Sequence, residues 1–281
     1  PIHAFGFLMA GGVIRSVPAE PTPAFFPALE RAFQHSIPKP IAVVVCYPAN
    51  PTAYVADLDF YRDLVQFAKK HNIFILSDLA YAEVYFDEAK KPPSVLQIPG
   101  AMDVTVEFTS MSKTFSMAGW RMGFAVGNER LLAALTRVKS YLDYGAFTPI
   151  QVAAATALNG PTDCIDEMRA TYRKRRDVMV ESFANAGWEF EPPSASMFAW
   201  VKIPEKYKAL QSLEFSKLLI EKAEVAVAPG IGFGEHGDDY VRLALVENEH
   251  RLRQAARNLK KFFASDTSSL HNVIPMTPRA S

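Results

Sequence analysis

Three short apolar runs, about thirty residues apart, constrain the fold of this chain more than any other feature. They occupy residues 41–46, 73–76 and 104–108, and their first residues lie 32 and 31 positions apart. Short, mainly apolar runs of this length are typical of buried parallel strands. The spacing is that of a strand–helix–strand unit. We therefore expect an α/β domain built on a mostly parallel sheet.

The segments between these runs differ in character. Residues 57–71 place apolar side chains at steps of 3, 4 and 3, which predicts one buried helix face: Leu58, Tyr61, Val65 and Ala68. Between the second and third runs, Pro92 and Pro93 indicate a long irregular connection instead of a helix. Further strands are predicted at residues 121–126, 188–191, 199–203 and 240–245. Further helices are predicted at 128–142, 163–186, 213–222 and 249–263.

The helical pattern breaks at Asn159-Gly160-Pro161, which predicts a domain boundary or hinge. We expect a large α/β domain over residues 1–160 and a smaller α+β domain over residues 161–264. Residues 265–281 are polar and contain Pro275 and Pro278, so this segment is predicted to be a tail.

Composition limits the class of partner. Hydrophobic residues make up 49% and charged residues 21%, as in ordinary globular proteins. Lys+Arg and Asp+Glu both total 30, whereas proteins that bind nucleic acid or membrane surfaces are usually basic. No window approaches the roughly 20 apolar residues that span a bilayer. We therefore expect a small-molecule ligand, with no nucleic acid and no membrane as partner.

The cysteines and histidines narrow the chemistry further. Two cysteines are too few for a disulfide framework in a chain this long, and no secretory signal is visible, so the cytoplasm is the expected compartment. The six histidines are scattered without the spacing of a metal-ligand pair, so no metal site is predicted.

Polar side chains follow each of the three predicted strands. Because open parallel sheets bind ligands outside the carboxyl ends of their strands, we expect these side chains to converge. They are Asn50, Asp78, Tyr81, Ser110, Ser112 and Lys113. Taken singly, each has an ordinary explanation, since Asp78 could cap a helix and Lys113 could be a solvated surface lysine.

As a set, these residues offer the chemistry that pyridoxal 5'-phosphate (PLP) requires. A nucleophilic lysine can react with the carbonyl of PLP, and a carboxylate such as Asp78 can pair with the pyridine nitrogen. Tyr81 and Asn50 can donate to the ring oxygen. Hydroxyl groups at the end of the third strand and the guanidinium of Arg121 suit a phosphate.

The order of these motifs resembles one family. The chain carries Asn50-Pro51-Thr52, Asp78-x-Ala80-Tyr81, Ser110-x-Ser112-Lys113, and Arg121 eight residues after that lysine. This series is similar to the fold-type I, class I/II PLP-dependent aminotransferases, over about residues 1–263. Within the family, residues 139–151 and 229–245 resemble the glutamate–pyruvate (alanine) aminotransferases and the related LL-diaminopimelate aminotransferases.

The resemblance implies a role for each position. Lys113 would bind PLP covalently and move the proton between Cα and C4′. Asp78 would hold the pyridine nitrogen protonated, and Tyr81 would bond the ring oxygen. These three residues are the implied catalytic set.

The remaining implied residues bind the cofactor or the substrate. Asn50 would contact the ring oxygen and the substrate, whereas Ser110, Ser112 and Arg121 would bind the phosphate. Arg242, far along the sequence, matches the arginine that pairs with the substrate α-carboxylate. Ala53 stands where many relatives have glycine.

The resemblance predicts a PLP-dependent aminotransferase that works by a ping-pong cycle, with alanine/pyruvate and glutamate/2-oxoglutarate as substrates, and a homodimer. Two alternatives remain open: a PLP-dependent C–S β-lyase, and an inactive remnant or PLP-binding module. The resemblance also implies a preceding segment on the order of a hundred residues, about three strand–helix–strand units.

Overall fold

A computed structural model describes residues 2–265, which form two compact units. The first unit contains the chain up to Lys174 together with Pro193–Phe198. The second contains Arg175–Pro192 and the chain from Ala199 onward. The domain boundary predicted at residues 160 and 161 stays a prediction. Of the predicted tail, only Ser265 lies within the described residues, where it ends a helix.

The described part of the first unit is organised around a four-stranded sheet. Its strands are β1 (Ala42–Cys46), β2 (Phe74–Asp78), β3 (Thr105–Ser110) and β4 (Gly123–Gly127), and they lie side by side in that order. The pairs β1–β2 and β2–β3 are parallel, whereas β3–β4 is antiparallel. The three apolar runs therefore form the three parallel strands, and the predicted α/β class is confirmed.

The two faces of this sheet are covered unequally. Val43, Val45 and Ile75 point to a buried face, whereas Val44 and Leu76, one residue further along, are only half-buried. Side chains alternate between the faces of a strand, so a single residue step separates the two environments. The predicted burial of these strands therefore holds for one face only.

Helix α3 (Leu58–His71) connects β1 to β2 and packs on the buried side. It begins at Asp57, whose carboxylate accepts a hydrogen bond of 2.8 Å from the Phe60 N–H. It ends at Asn72, which adopts the left-handed conformation at φ 53°. Residues 79–104, all described, contain no α-helix but three 3₁₀ turns, at Glu88–Lys90, Val95–Gln97 and Ala101–Asp103, so the irregular connection is confirmed.

The other helices of the first half are α1 (Ile2–Met9), α2 (Phe25–His35), α4 (Met111–Thr114), α5 (Glu129–Leu142) and α6 (Thr148–Asn159). Helix α5 confirms the prediction for residues 128–142, since Asn128 caps its first turn. The sequence pattern predicts no helix at the positions of α1, α2, α4 or α6. Helix α7 (Asp163–Ala184) confirms the long predicted helix.

The described part of the second unit contains a smaller sheet, the second half of α7 and two further helices. Strands β5 (Phe198–Lys202), β6 (Ala228–Pro229) and β7 (Tyr240–Ala244) form a sheet in the order β5-β7-β6. Helices α8 (Gln211–Ala223) and α9 (Glu249–Ser265) contribute the buried Phe215, Leu219 and Leu259. The α+β character predicted for the second half is thus present.

One predicted strand of this unit is wrong. Residues 188–191 form no strand, because the two prolines that follow, Pro192 and Pro193, have no N–H to donate to a sheet. Trp188 is buried for another reason. Its ring packs against Phe183 and Phe215, and its Nε1–H donates to the Lys202 carbonyl at 3.0 Å.

No helix within residues 2–265 combines the length and the apolar character needed to cross a bilayer.

Candidate functional site

Asp78 lies at the centre of the candidate site, as the last residue of the inner strand β2. In the sheet it pairs with Cys46 on one side and Phe108 on the other. Its Oδ1 accepts a hydrogen bond of 3.0 Å from the Ala80 N–H, which orients the carboxylate after the strand ends. Its Oδ2 lies 2.8 Å from Nε2 of His3 in α1. These two contacts, with Ala80 and His3, hold the carboxylate at the carboxyl end of the parallel strands.

His3 is a site residue that the sequence did not reveal. It precedes Asp78 by 75 positions, and no spacing pattern connects the two. No local sequence signal marks it as a site residue. The imidazole is 40% exposed and the carboxylate 29%. The pair is therefore held within the fold while its polar atoms remain partly accessible.

Cys46 completes a cluster with this pair. One ligand atom from each of His3, Cys46 and Asp78 lies within 4.8 Å of the others, a grouping that could in principle hold a metal ion. Burial, reinforced by the negative charge of Asp78, raises the pKa of the Cys46 thiol to about 12. A neutral thiol is a poor metal ligand. The cluster is better described as a hydrogen-bonded imidazole–carboxylate pair beside an inert thiol.

A cavity of about 250 Å³ lies beside the pair, between α1 and the half-buried face of the sheet. Its walls are mostly apolar, with the His3–Asp78 pair as their polar part: Ile2, His3, Phe7, Val44, Leu76, Asp78 and Phe108. On the side where the apolar wall covers the carboxylate, it excludes water and so strengthens electrostatic interactions there.

Lys113 and Tyr81 face each other after neighbouring strands. Lys113 lies in α4, the single helical turn that follows β3, and Tyr81 lies in the turn that follows β2. The Lys113 Nζ is 5.8 Å from the centre of the Tyr81 ring. The ring is only 7% exposed and makes an edge contact with Phe198 at 5.9 Å. The predicted convergence of these two residues is therefore present in the structure.

The two serines lie at the end of β3, beside the chain segment that follows Arg121. Ser110 caps α4, since its Oγ accepts a hydrogen bond of 3.2 Å from the Ser112 N–H. Ser110 also pairs with Gly123 of β4, and the Met111 N–H donates to the Met122 carbonyl at 3.1 Å. The loop that contains Arg121 therefore returns to the two serines.

Arg121 itself lies outside the strand that was predicted to begin with it. It adopts the left-handed conformation at φ 53°, and β4 begins two residues later. Its exposed guanidinium donates to the Ala118 carbonyl at 2.9 Å. A residue with positive φ cannot continue a strand, which corrects the predicted start at 121.

Asn50 follows β1 in a compact turn. The Ala49 N–H donates to the Tyr54 carbonyl at 2.8 Å, and the Ala53 N–H donates to the Ala49 carbonyl at 3.0 Å. Asn50 is exposed, and its peptide bond to Pro51 is cis. Ala53 has φ 61°, a conformation that glycine adopts freely, which explains physically why glycine suits this position.

Arg242 lies in the second unit, in the middle of β7. Its partner in the sheet is Ala228 of β6, and its guanidinium carbon is 4.8 Å from the centre of the Phe233 ring. The side chain is half-buried, which is unusual for a charged group without a specific role.

The donor set of the first unit has the chemistry that PLP requires. A fixed carboxylate suits the pyridine nitrogen, and an amine beside a buried phenol suits the carbonyl and ring oxygen. Two hydroxyls and a guanidinium suit a phosphate. When bound, PLP supplies an electron sink for bonds at the substrate Cα.

Comparison with known proteins agrees with this chemistry. The family described as aminotransferase class I and II matches residues 1–259. The AatC protein of Rhizobium meliloti (strain 1021), named as an aminotransferase, is 74% identical over 98% of this chain and 68% of its own length. The glutamate-pyruvate aminotransferase AlaC of Escherichia coli (strain K12) is 50% identical over 95% of this chain and 64% of its own length.

Solved structures give the same result. Substrate-bound BacF from Bacillus subtilis superposes with a TM-score of 0.86 at 35% identity, over 93% of this chain and 66% of that one. An aminotransferase from Staphylococcus aureus gives a TM-score of 0.82 at 32% identity, over 92% and 67%. The chain thus spans about two thirds of the length of these relatives. Class I and II aminotransferases depend on PLP, and this chain belongs to their family.

Proposed function

We propose that this protein is a PLP-dependent aminotransferase that transfers an amino group from an α-amino acid to a 2-oxo acid. One observation carries the proposal. Lys113 faces Tyr81 after β3 and β2, and Asp78, which ends β2, is fixed by His3 and Ala80. A nucleophilic amine, a phenol and an oriented carboxylate at one sheet edge are the minimum that PLP chemistry needs from a protein.

The proposed catalytic roles follow from these positions. Lys113 would hold the cofactor and then carry the proton between the substrate Cα and the cofactor C4′. Asp78 would keep the pyridine nitrogen protonated, because a carboxylate stabilises a nearby positive charge. Tyr81 would donate its hydroxyl to the ring oxygen, and its buried ring restricts where that hydroxyl can lie.

The remaining residues would bind and orient. The phosphate would be bound at the end of β3 by Ser110, Ser112 and Arg121. The pairing of β3 with β4 brings the backbone that follows Arg121 to the two serines. Asn50 would contact the ring oxygen and the substrate. These roles use charge and hydrogen bonding at fixed positions, which is how enzymes lower the entropic cost of orientation.

For the substrates, we propose alanine with pyruvate and glutamate with 2-oxoglutarate. The relative AlaC, at 50% identity, is named for glutamate and pyruvate. The guanidinium of Arg242 would bind the α-carboxylate that all four compounds share, since its planar fork matches a carboxylate. The amino-acid donor and the 2-oxo acid acceptor would then bind at the same site one after the other, which is a ping-pong cycle.

We also propose that the protein is a homodimer. Tyr141, Tyr144 and Phe147 are 78%, 91% and 70% exposed and lie close together in sequence, at the end of α5 and the start of α6. A concentration of exposed aromatic side chains is typical of a protein–protein interface. The proposed compartment is the cytoplasm, where the free thiols Cys46 and Cys164 would stay reduced.

The first experiment tests cofactor attachment. Purified protein is incubated with PLP, its absorbance is recorded, and the adduct is reduced with borohydride and mapped by peptide mass. We expect one adduct, at Lys113, which Lys113→Ala abolishes. The control Lys260→Ala changes an exposed lysine of α9 and should leave the adduct unchanged. An adduct elsewhere, or none, would refute the proposed role of Lys113.

The second experiment tests the reaction. Alanine with 2-oxoglutarate is assayed for glutamate, and cystathionine is assayed in parallel for pyruvate and ammonia. We expect glutamate from the first mixture. Pyruvate and ammonia from cystathionine with no glutamate from the first mixture would identify a C–S β-lyase. No product in either mixture, from protein with an adduct at Lys113, would identify a PLP-binding module.

A further inference from the structure

A glycine-rich loop of the second unit holds an aromatic ring against Arg242. The loop runs through two 3₁₀ turns, Gly230–Phe233 and Glu235–Gly237, between β6 and β7. The centre of the Phe233 ring lies 4.8 Å from the guanidinium carbon of Arg242. A planar guanidinium is attracted to the negative face of an aromatic ring at this distance. Phe233 therefore restricts the orientations that the arginine can adopt.

The loop is closely packed at two of its glycines, Gly230 and Gly237. A Cβ on Gly230 would lie 1.9 Å from the Gly237 carbonyl oxygen, and one on Gly237 would lie 2.2 Å from the Gly230 carbonyl oxygen. The same two positions approach the end of the Trp200 ring, at 2.8 and 3.2 Å. Only glycine fits at either position, so the two turns are held directly against each other and against Trp200.

Trp200 fixes the ring as well as the loop. Its ring makes an edge contact with Phe233, with centres 5.8 Å apart at 90°. It also stacks on Tyr240 of β7, with centres 5.3 Å apart at 9°. Phe233 thus contacts two partners of fixed position, the tryptophan of β5 and the arginine of β7.

Hydrogen bonds to the buried Ser212 anchor the loop to α8. The Ser212 hydroxyl, fully buried, donates to the Asp238 carboxylate at 2.6 Å and accepts from the Ile231 N–H at 3.0 Å. The Ser212 N–H donates to the same carboxylate at 3.1 Å. Both the beginning and the end of the loop are therefore tied to the first turn of one helix.

We propose that Phe233 is a positioning residue, which orients the guanidinium of Arg242 for the substrate carboxylate. The inference rests on the proposed function, because that function assigns the α-carboxylate to Arg242. An arginine already held in one orientation loses less conformational freedom when it binds, so affinity rises without a new contact to the ligand. The residue acts on carboxylate recognition and leaves the proton transfer at Lys113 unchanged.

Two fragments of alanine separate carboxylate recognition from proton transfer. Propionate keeps the carboxylate and lacks the amino group, whereas ethylamine keeps the amino group and lacks the carboxylate. In PLP-loaded protein, propionate affinity is measured by calorimetry, and the half-reactions with alanine and with ethylamine are followed by absorbance. Phe233→Leu removes the ring and keeps the apolar character. Phe233→Tyr keeps the ring.

For Phe233→Leu we expect propionate to bind about tenfold more weakly, the size of effect expected when a flexible side chain must be ordered on binding. The KM values for alanine and for the 2-oxo acid should rise by the same factor, with kcat and the ethylamine rate changed less than about twofold. Phe233→Tyr should behave like the parent. The matched control Phe190→Leu removes a ring that contacts Phe183 in the same unit and should not alter propionate affinity.

A pentafluorophenylalanine at position 233 guards against a folding defect. It keeps the shape of the ring and removes its negative face, so it should also weaken propionate binding. Normal propionate affinity in either the leucine or the fluorinated variant would overturn the inference. If Arg242→Gln abolishes propionate binding in the same series, the proposed role of Arg242 survives that result. If Arg242→Gln binds propionate normally, that role and the inference fall together, while the adduct at Lys113 still tests cofactor use separately.

Discussion

Nε2 of His3 lies 2.8 Å from Oδ2 of Asp78, and this contact joins the first described helix to the last residue of an inner strand. The other carboxylate oxygen accepts from the Ala80 N–H. Each oxygen of Asp78 thus has a defined hydrogen-bond partner, which sets the plane of the carboxylate. If Asp78 binds the pyridine nitrogen, His3 is the side chain that orients it.

Replacing His3 by phenylalanine should therefore weaken PLP binding without unfolding the protein. The ring volume is nearly kept, while a hydrogen bond to a charged group, worth about 1.5–3 kcal/mol, is lost. We expect PLP affinity to fall by about tenfold or more, as measured by cofactor titration. His3→Gln, which keeps a donor, should recover part of the loss. His35→Phe, at an exposed position of α2, is the control, and an equal loss there would contradict the assignment to His3.

The sequence predicted the parallel strands well because each is a local signal. A mainly apolar run of four to six residues and the polar residues after it can be recognised without any information from distant parts of the chain. That was enough to bring Asp78, Tyr81 and Lys113 to one edge of the sheet. The resemblance then supplied roles that the pattern alone left open.

The features that were not predicted, or were predicted wrongly, also have physical reasons. Helix α6 is rich in alanine and apolar on most sides, so no amphipathic stripe marks it. The predicted strand at 188–191 rested on Trp188 and its neighbours, whose burial comes from contacts with α7 and α8. The His3–Asp78 contact spans 75 residues, and the ring of Phe233 reaches Arg242 through tertiary packing. No local pattern encodes either contact.

Glu107 lies on the face of the sheet opposite the candidate site, and we expect its carboxyl group to make the stability of the fold depend on pH. Its carboxylate is buried in β3 and accepts hydrogen bonds from the Ser77 and Ser94 hydroxyls and the Val95 N–H. Burial raises the pKa of this carboxyl above its ordinary value of 4.5, although the three donors oppose the shift. The folded protein therefore binds this proton more tightly than the unfolded chain does.

The stability from this proton is complete below the unfolded pKa and is lost as the pH rises through the folded pKa. Glu107→Gln resembles the protonated form at every pH. The unfolding free energy of Glu107→Gln minus that of the parent should therefore increase from about pH 4.5 upward and then level off. Urea unfolding between about pH 4 and pH 8 measures this difference. A difference for Glu107→Gln that stays flat across this pH range would refute the prediction.

Arg169 ties α7 to the segment that follows Tyr81. Its Nε donates to the Glu83 carbonyl at 3.0 Å and its Nη2 donates to the Glu83 carboxylate at 2.7 Å. The guanidinium carbon lies 4.3 Å from the centre of the Tyr85 ring. The side chain is only 13% exposed, so water replaces these bonds poorly when the arginine is removed.

Arg169→Ala should consequently lower the unfolding free energy by about 2–3 kcal/mol, since it leaves a partly buried carboxylate without its partner. Arg169→Lys keeps the charge without the planar fork and should lose about half as much. The control Arg62→Ala breaks the ion pair with Asp59 on the surface of α3 and should cost less than about 0.5 kcal/mol. Chemical denaturation measures all three, and equal losses for Arg169→Ala and Arg62→Ala would contradict the role of burial.

Ala53 provides a test of the turn that presents Asn50. It is 6% exposed and has φ 61°, which costs an L-residue about 1–2 kcal/mol. Glycine removes that cost, but it also loses a buried methyl worth about 0.8 kcal/mol and gains freedom in the unfolded chain. We expect Ala53→Gly to change the unfolding free energy by less than about 0.5 kcal/mol.

Ala53→Val adds β-branching at positive φ in a buried position and should destabilise the fold by about 2 kcal/mol or more. Ala133→Val, on the exposed surface of α5, should cost only a few tenths of a kcal/mol, which isolates the effect of the turn. A loss at Ala53→Val no larger than at Ala133→Val would show that the left-handed turn is not retained in solution.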